Sequence, residues 1–302
     1  MSKRAVATSQ DRCDVSVIVP SFNPGPLLFD CLRSLYAQRT DYAYEVIVVD
    51  SSPQDLTREI ECKFPEVRFI RLPRRAYPGV ARNAGINQAR GEIIAFTDTD
   101  CVVAPDWLQK LVECQRDGMH VVGGPVSNGT ADSAIGTVEF LLEFNNFQAD
   151  RGGQRAVELL PTCNVAYRKE LFVRYGGFDN AIKGSDSAFS RKMNREGIGV
   201  YLVPGIRVVH RNRTSLEGFL RNQFQLGIGG ALTRRRLMLR DSFVTRSPLL
   251  APLIPLARTI AIAYRLIRWS PANFVRFVLL YPLCFLGLLV FTAGFMRGLK
   301  RE

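Results

Sequence analysis

Short apolar runs alternate with amphipathic segments through the first hundred residues, and this alternation constrains the fold more than any other feature. Three runs, residues 15–19, 45–49 and 93–97, have the length and the apolar composition of buried strands, and a further strand is expected at 67–71. The segments between them have helical character, as residues 26–39 show by placing their leucines on one face. Strands that alternate with helices at this spacing form a parallel, right-handed, doubly wound sheet. The sequence therefore predicts an α/β fold.

The pattern continues with less regular spacing to about residue 210. The Asp50–Pro53 segment is a good helix-entry sequence, and a later helix is expected to open at Pro78-Gly79 and end near Gly91. Further helices are predicted at 105–116, 134–148 and 185–196, and further strands at 119–124, 199–203 and 206–209.

Polar residues follow the predicted strands at the points where the strands end. Ser21 and Asn23 follow the first strand, Asp50 the second, and Asp98 and Asp100 the fourth. Ligands of doubly wound sheets bind beyond the carboxyl ends of the strands. We therefore expect these side chains to converge on a binding site.

The Asp98-Thr99-Asp100 segment is the sharpest chemical signal. In an extended segment, residues two apart point to the same face, so both carboxylates would aim at one point. Two carboxylates held together require a cation between them, and Mg²⁺ or Mn²⁺ with phosphate oxygens is the natural choice. Such a pair also occurs by chance and often only caps a loop.

Several motifs occur together in a recognisable order. They are VSVIVPSFN (15–23), EVIVVDSS (45–52), the 78–101 segment that ends in FTDTDC, and GGFD (176–179). In this order the chain, from residue 15 to about 225, resembles the family 2 glycosyltransferases. The resemblance implies the GT-A fold, a Rossmann-like, mostly parallel sheet flanked by helices. A G-x-G-x-x-G dinucleotide fingerprint and a P-loop are both missing.

The resemblance also assigns roles to individual residues. It implies that eight residues contact the nucleotide sugar: Pro20, Ser21, Asn23, Asp50, Arg82, Asn83, Asp98 and Asn164. Asp98 and Asp100 match the motif that binds a metal and the diphosphate, and Arg82 can orient Asp98 through a charge-assisted hydrogen bond. A late histidine completes the metal shell in some relatives, and His210 is the candidate here. Asn164 matches the loop that closes over the donor sugar.

The catalytic base is expected at Asp186. Many relatives carry Glu-Asp after the GGFD turn, whereas this chain reads Gly184-Ser185-Asp186 and keeps the second carboxylate. One base opposite the leaving group implies inversion at the anomeric carbon. The Q-x-x-R-W motif of polymer-building relatives is not matched at 221–227, which favours transfer of one sugar per encounter.

Each of these residues also has a purely structural interpretation. Asp50 can cap a helix that starts at Pro53, and Asp186 can be a carboxylate favoured by a helix N-terminus. Arg82 can be a solvated helix residue, and His210 a hydrogen-bonded histidine at the end of a strand.

The last seventy residues differ in kind from the rest. The chain carries a formal charge of +12, of which +10 lies from Thr233 onward. Residues 277–296 contain no charge and lie between Arg276 and Arg297, which predicts a transmembrane helix. The apolar stretch 247–264 is interrupted by prolines and Arg258, so it is either a second span or a segment in the headgroup region. A buried helix of a soluble protein is the alternative.

The sequence therefore predicts three parts. Residues 1–14 form a polar tail without the apolar core of a signal peptide. Residues 15–232 form the catalytic domain, with a nucleotide-binding half at 15–101 and an acceptor-binding half at 102–232. Residues 233–302 form a basic, hydrophobic, membrane-associated helical segment. Seven scattered cysteines favour reduced thiols over a disulfide framework.

The predicted activity is metal-dependent, inverting transfer of a sugar from a nucleotide diphosphate sugar to a hydroxyl acceptor. The expected partners are the nucleotide sugar, a glycan or lipid-linked acceptor and membrane lipids, with no nucleic acid, because the basic residues flank apolar runs. We expect the catalytic domain on the cytoplasmic face of the plasma membrane. The alternatives are a nucleotidyltransferase that makes the activated sugar and a non-catalytic binding protein on the same fold.

Overall fold

A computed structural model describes residues 13–148, 152–180, 183–237 and 248–300. The chain divides into two compact units. The first comprises residues 1–126, 153–180 and 189–210, and the second comprises 127–152, 181–188 and 211–302.

The first unit is built on an eight-stranded sheet in the order β3-β2-β1-β4-β9-β6-β10-β8. Its strands are β1 (Val15–Ser21), β2 (Tyr44–Asp50), β3 (Arg68–Arg71), β4 (Ile93–Phe96), β6 (Val121–Gly123), β8 (Arg155–Ala156), β9 (Val165–Arg168) and β10 (Val200–Leu202). The β3-β2-β1-β4 half is parallel throughout. β9 runs antiparallel to both of its neighbours, β4 and β6, and β10 is parallel to β6. The predicted α/β fold with a mostly parallel sheet is confirmed.

Two short strands form a separate antiparallel pair. They are β5 (Cys101–Val103) and β11 (Val208–His210), and their register sets Cys101 opposite His210. A further short strand, β7 (Val126–Asn128), follows at the boundary between the two units.

The helices of the first unit are α1 (Leu27–Tyr36), α2 (Thr57–Lys63), α3 (Pro78–Gln88), α4 (Trp107–Arg116) and α6 (Lys169–Tyr175). The helix expected to enter at Pro53 begins four residues later, at Thr57, where Asp55 Oδ1 accepts the Thr57 N–H at 2.9 Å. α3 begins at Pro78 as predicted, with the proline in its first turn.

An aromatic cluster fills the core beside β4 and β9. Phe96, Tyr167, Phe172, Phe178 and Phe189 make edge-to-face, tilted and stacked contacts, with ring centroids 4.9–6.4 Å apart. Such contacts between buried rings stabilise a core beyond the area they bury. The cluster fixes Phe178, the aromatic residue of the GGFD turn.

The second unit is helical. It contains α5 (Ala134–Phe144), α8 (Leu216–Leu237), α9 (Ile254–Trp269), α10 (Pro271–Leu279) and α11 (Tyr281–Leu299), with a 3₁₀ segment at Pro248–Leu253. α7 (Ser185–Arg195) crosses the boundary between the units. α8 and α11 make the most extensive helix contact of this unit.

Glycines allow α8 and α11 to approach closely. A Cβ atom at Gly294 would collide with the carbonyl oxygen of Phe224, and one at Gly227 would collide with the carbonyl oxygen of Phe291. Phe219 likewise lies against Gly287, so the two helices are parallel and stay in contact along most of α11.

The uncharged run 277–296 does not form one helix. It divides at Leu280 between the end of α10 and α11, because Pro282 can be placed only in the first turn of a new helix. Among the described residues, Leu249–Trp269 and Tyr281–Leu299 are long and apolar enough to cross a membrane. Length and composition alone give weak support for a span.

Candidate active site

The ends of β1 and β2 hold Asp50 in a closed set of hydrogen bonds. The parallel register pairs Ser21 with Asp50, and the Ser21 hydroxyl donates to Asp50 Oδ1 at 2.6 Å. Ser52 donates to Asp50 twice, from its hydroxyl at 2.8 Å and from its backbone N–H at 3.0 Å. The Asp50 side chain is fully buried. It therefore shapes the loop after β2, and it caps no helix.

The loop after β1 is tied to the same group. The backbone N–H of Asn23 donates to the Ser52 hydroxyl at 2.7 Å, and Asn23 takes a φ of 48°. This left-handed conformation is uncommon outside glycine and asparagine. Pro20 is half-buried at the end of β1, whereas Asn23 presents its side chain to solvent. Among the predicted residues of this loop, Asn23 is thus the one placed for an outside contact.

Asp98 and Asp100 lie in a turn rather than in an extended segment. The backbone N–H of Cys101 donates to the Asp98 carbonyl oxygen at 3.1 Å, which closes the turn directly after β4. The expectation of an extended backbone is wrong here because β5 begins at Cys101 and the chain must reverse within three residues. Both aspartates remain partly exposed, at 30% and 26% of their side chains.

Arg82 makes the contact that the sequence suggested. Its Nη2 donates to Asp98 Oδ1 at 2.7 Å from the buried face of α3. Only 6% of the Arg82 side chain is exposed, so it is not a solvated helix residue. A buried guanidinium in this position fixes the orientation of the carboxylate.

His210 and Asp100 lie side by side because β5 and β11 are paired. His210 Nε2 is 3.5 Å from Asp100 Oδ1, and the ligand atoms of Asp100, Cys101 and His210 all lie within 4.8 Å of one another. Burial, followed by the neighbouring Cys163, raises the pKa of the Cys101 thiol well above its usual range. Cys101 therefore presents a protonated thiol at this point.

This donor set fits a hard divalent cation. Carboxylate oxygens suit Mg²⁺ and Mn²⁺, and an imidazole nitrogen is also acceptable to Mn²⁺. A protonated, buried thiol is a poor ligand for either ion. Within this cluster the chemistry therefore favours Asp100 and His210 over Cys101 as ligands, and the assignment of Asp98 to the same ion stays a prediction.

Two predicted contact residues are already fully engaged inside the first unit. Asn83 pairs with the backbone of Phe178 through both halves of its amide, at 2.8 Å each. Asn164 is fully buried, accepts from Trp107 Nε1 at 2.8 Å, and donates to the carbonyl oxygens of Pro125 and Ile206 at 2.9 Å. Both amides hold segments of the fold together.

Gly177 is packed against the Asn83 amide. A Cβ atom at Gly177 would collide with Asn83 Oδ1. The second glycine of the GGFD turn is therefore required by its neighbour and not by its own backbone angles.

Asp186 is the second residue of α7, and the helix begins directly after Gly184, whose φ of 90° favours glycine. The Asp186 side chain lies outside the described part of the structure. Its assignment as the base stays a prediction.

A cavity of about 450 Å³ lies at the carboxyl ends of β2 and β3, which the sequence did not predict. Its lining comprises Ser51, Ser52, Pro53, Arg71, Leu72, Pro73, Arg74 and Arg75. Arg71 is paired with Asp55 at 2.7 Å, and the Arg75 guanidinium lies 4.6 Å from the centre of the exposed Phe22 ring. The run Arg74-Arg75 after β3 was the available sequence signal, since it follows a strand of the parallel half of the sheet.

Comparison with known proteins agrees with this architecture. The family described as "Glycosyl transferase family 2" matches residues 16–176. Glycosyltransferase AglE of Haloferax volcanii is 30% identical over 229 residues, 71% of this chain and 72% of AglE. The succinoglycan biosynthesis protein ExoO of Rhizobium meliloti is 39% identical over 159 residues, 52% of this chain and 44% of ExoO.

Solved structures show the same fold. A mannosyltransferase from Pyrobaculum calidifontis, PcManGT, solved in complex with GDP-Man and Mn²⁺, matches with a TM-score of 0.62 and 21% identity, over 97% of this chain and 90% of PcManGT. S. aureus TarS 1–349 in complex with UDP-GlcNAc matches with a TM-score of 0.54 and 17% identity, over 95% of this chain and 90% of TarS. The family match spans more than half of the chain and includes the turn after β4. The chain therefore belongs to glycosyl transferase family 2 and is a glycosyltransferase of the GT-A fold.

Proposed function

We propose that this glycosyltransferase moves a sugar from a nucleotide diphosphate sugar to an acceptor hydroxyl, with a divalent metal and with inversion at the anomeric carbon. The observation that carries the proposal is the Asp98–Asp100 turn at the carboxyl end of β4. There, two partly exposed carboxylates lie between a buried arginine and a histidine. This arrangement binds a cation and leaves the cation open to a diphosphate.

Asp98, Asp100 and His210 are the residues that would hold Mg²⁺ or Mn²⁺. A cation bound there supplies positive charge to the departing diphosphate. PcManGT was solved with GDP-Man and Mn²⁺, which supports the same class of donor and metal here. Arg82 keeps Asp98 in one orientation, so that this carboxylate need not reorganise when the donor binds.

The nucleoside part of the donor is assigned to the loops after β1, β2 and β3. Asp50 fixes the β1 and β2 loops against each other through Ser21 and Ser52. The cavity beside them is lined by arginines, which complements the charge of a nucleotide diphosphate.

Asp186 is proposed to take the proton of the acceptor hydroxyl. It lies in the first turn of α7, where the helix dipole favours a charged carboxylate. General-base help of this kind is worth about 10²–10⁴ in rate. With a single base opposite the leaving group, the product has the inverted configuration.

We assign a lipid-linked or cell-surface glycan as the acceptor, used for one transfer per encounter on the cytoplasmic face of a membrane. The basic, apolar C-terminal segment supports this assignment because membrane attachment concentrates an acceptor that is itself in the membrane. The similarity to ExoO, a succinoglycan biosynthesis protein, supports the same kind of product. Family membership weighs against the nucleotidyltransferase and the non-catalytic alternatives.

A thermal-shift panel tests the donor and the metal together. UDP, GDP and other nucleoside diphosphates are added with and without Mn²⁺, and a ligand that binds the native state raises its melting temperature. We expect a shift that needs both a nucleotide and the metal, and that is lost in Asp100→Asn. The matched control is Asp106→Asn, a carboxylate of the same unit that is paired with Lys110. A nucleotide shift that is independent of Mn²⁺ and unchanged in Asp100→Asn refutes the metal assignment.

The base is tested separately. Asp186→Asn should retain the metal-dependent nucleotide shift and lose transfer, measured as sugar incorporated into a lipid extract. Retention of normal transfer in this variant would refute the assignment of the base.

A further inference from the structure

Helix α9 of the second unit turns apolar side chains outward. The outward-facing side chains follow one another at intervals of three or four residues. Since each residue turns the helix by 100°, these side chains fall within an arc of about 80° around the helix axis. We call this set the apolar stripe. It comprises Leu253, which is the N-cap residue of α9, and Leu256, Ile260, Tyr264 and Ile267, and each side chain is 56–68% exposed.

The opposite face of α9 turns two of the three arginines of this helix, Arg258 and Arg265, toward the rest of the second unit. Arg258 Nη2 donates to the carbonyl oxygen of Leu142 at 3.5 Å, and its guanidinium lies 3.9 Å from the centre of the Phe291 ring. Arg265 Nη1 donates to Asn145 Oδ1 at 3.0 Å. The inner face of α9 also buries Pro255, Ile262 and Leu266, so it is mixed, whereas the outer face of a helix in a water-soluble protein is polar. The outer surface of α9 is therefore suited to lipid.

Arg258 also argues against a membrane crossing. It lies at the centre of the Leu249–Trp269 segment, and Phe291, which it contacts, lies at the centre of α11. If either helix crossed the bilayer, the same guanidinium would sit near the midplane, where a charge is costly.

The partner of α11 gives a second argument. α8 lies alongside α11 and carries Arg221 and Arg234, which are thirteen residues apart. Thirteen residues of helix span about 20 Å, whereas the hydrocarbon core is about 30 Å thick. If α11 entered the hydrocarbon core along its whole length, Arg221 or Arg234 of the adjoining α8 would enter the core as well.

The charge of the segment indicates what kind of surface it meets. Residues 248–300 contain six basic residues and no acidic ones. Arg268, Arg276, Arg297 and Lys300 are exposed, and α11 adds the exposed apolar residues Phe285, Leu286, Leu289 and Met296. Basic residues beside exposed apolar helix faces are typical of attachment to anionic headgroups.

We propose that the second unit docks on one leaflet of an anionic membrane, with the apolar stripe of α9 and the exposed face of α11 in the acyl region, and that neither helix crosses the bilayer. The docking does not depend on the transfer reaction. It replaces the transmembrane helix expected at 277–296 with attachment from one side.

Vesicle flotation of the purified full chain tests the surface. We expect binding to phosphatidylcholine vesicles that contain phosphatidylglycerol, weaker binding without it, and weaker binding in high salt. Ile260→Glu should weaken binding by at least about tenfold. The matched control is Val173→Glu on α6, which introduces the same charge at an apolar side chain that is 82% exposed in the first unit.

Two outcomes overturn the proposal at this stage. One is equal binding of the two variants. The other is absence of vesicle binding together with a dimer in light scattering that Ile260→Glu dissociates, which would make a second copy of the chain the occupant. Equal melting temperatures of the two variants establish that Ile260→Glu folds.

Sidedness is tested by cysteine labelling in membranes of an expression host. Exposed Cys62 reports the side of the first unit, and Arg276→Cys and Lys300→Cys report the two ends of the α10–α11 segment. A membrane-impermeant maleimide should label both new cysteines from the side that labels Cys62. Labelling of Lys300→Cys from the opposite side would show that α11 crosses alone, and labelling of Arg276→Cys from there would show a hairpin of two spans. Either result overturns one-sided attachment.

Discussion

The role of Asn164 can be tested directly, because the family resemblance and the structure assign it different roles. The resemblance places it over the donor sugar, whereas the structure buries it completely with three hydrogen-bond partners. Asn164→Ala would leave the Trp107 indole N–H and the Ile206 carbonyl oxygen unsatisfied, whereas the Pro125 carbonyl oxygen keeps the Val208 N–H as a donor at 3.4 Å. At about 1–3 kcal/mol for each of these two buried groups, we expect a loss of roughly 2–6 kcal/mol. For a chain of this size this lowers the melting temperature by about 10 °C.

The assay is a thermal melt followed by intrinsic fluorescence. Asn87→Ala is the matched control, because Asn87 is an exposed asparagine in the first unit, and we expect its melting temperature to change by less than about 2 °C. The reasoning is refuted if Asn164→Ala melts like the control while its affinity for the donor falls. That result would show that Asn164 contacts the sugar and contributes little to the fold.

Three further predictions follow from the same contacts. Arg82→Gln removes the guanidinium that orients Asp98, and we expect the initial rate of sugar transfer to fall by about 10²-fold. Arg82→Lys should recover part of this rate. An unchanged initial rate in Arg82→Gln contradicts the orienting role. Gly294→Ala forces a Cβ atom against the Phe224 carbonyl oxygen of α8 and should lower the free energy of unfolding by about 1–3 kcal/mol. The loss is measured as a lower melting temperature. The control is Gly153→Ala, whose added Cβ meets no neighbouring atom and should leave the melting temperature unchanged. At pH 8 iodoacetamide should modify exposed Cys62 and leave Cys101 unmodified, because burial raises the pKa of the Cys101 thiol and keeps it protonated. Mass spectrometry measures the modification of both cysteines. Rapid labelling of Cys101 would contradict its burial.

The parallel half of the sheet could be predicted because each strand carries its own signal. β1, β2 and β4 are apolar, β-branched runs that end in polar residues, and buried strands of this type are recognisable without their neighbours. The convergence of the strand ends followed from topology alone. The approach of Arg82 to Asp98 was also predictable, because the resemblance assigns both residues to the nucleotide-sugar site and their charges are opposite.

Features that depend on distant partners could not be predicted. Asn83 and Asn164 occur in suggestive motifs, but their partners lie far along the chain, and nothing local indicates that their amides are occupied. The turn at Asp98–Asp100 depends on the short strand β5, which pairs with β11 more than a hundred residues later. The break at Leu280 was signalled by Pro282, yet apolar composition alone suggested one continuous helix.

The contact between Asn83 and Gly177 has a consequence for how related sequences diverge. The Asn83 amide occupies the space that a Cβ atom of residue 177 would need, while its hydrogen bonds depend on the backbone of residue 178. A larger residue at 177 is compatible with the fold only where residue 83 is smaller, and that smaller residue gives up the bonds to Phe178. Positions 83 and 177 are thus expected to covary during evolution although ninety-three residues separate them. A substitution at one position changes which residues are favoured at the other.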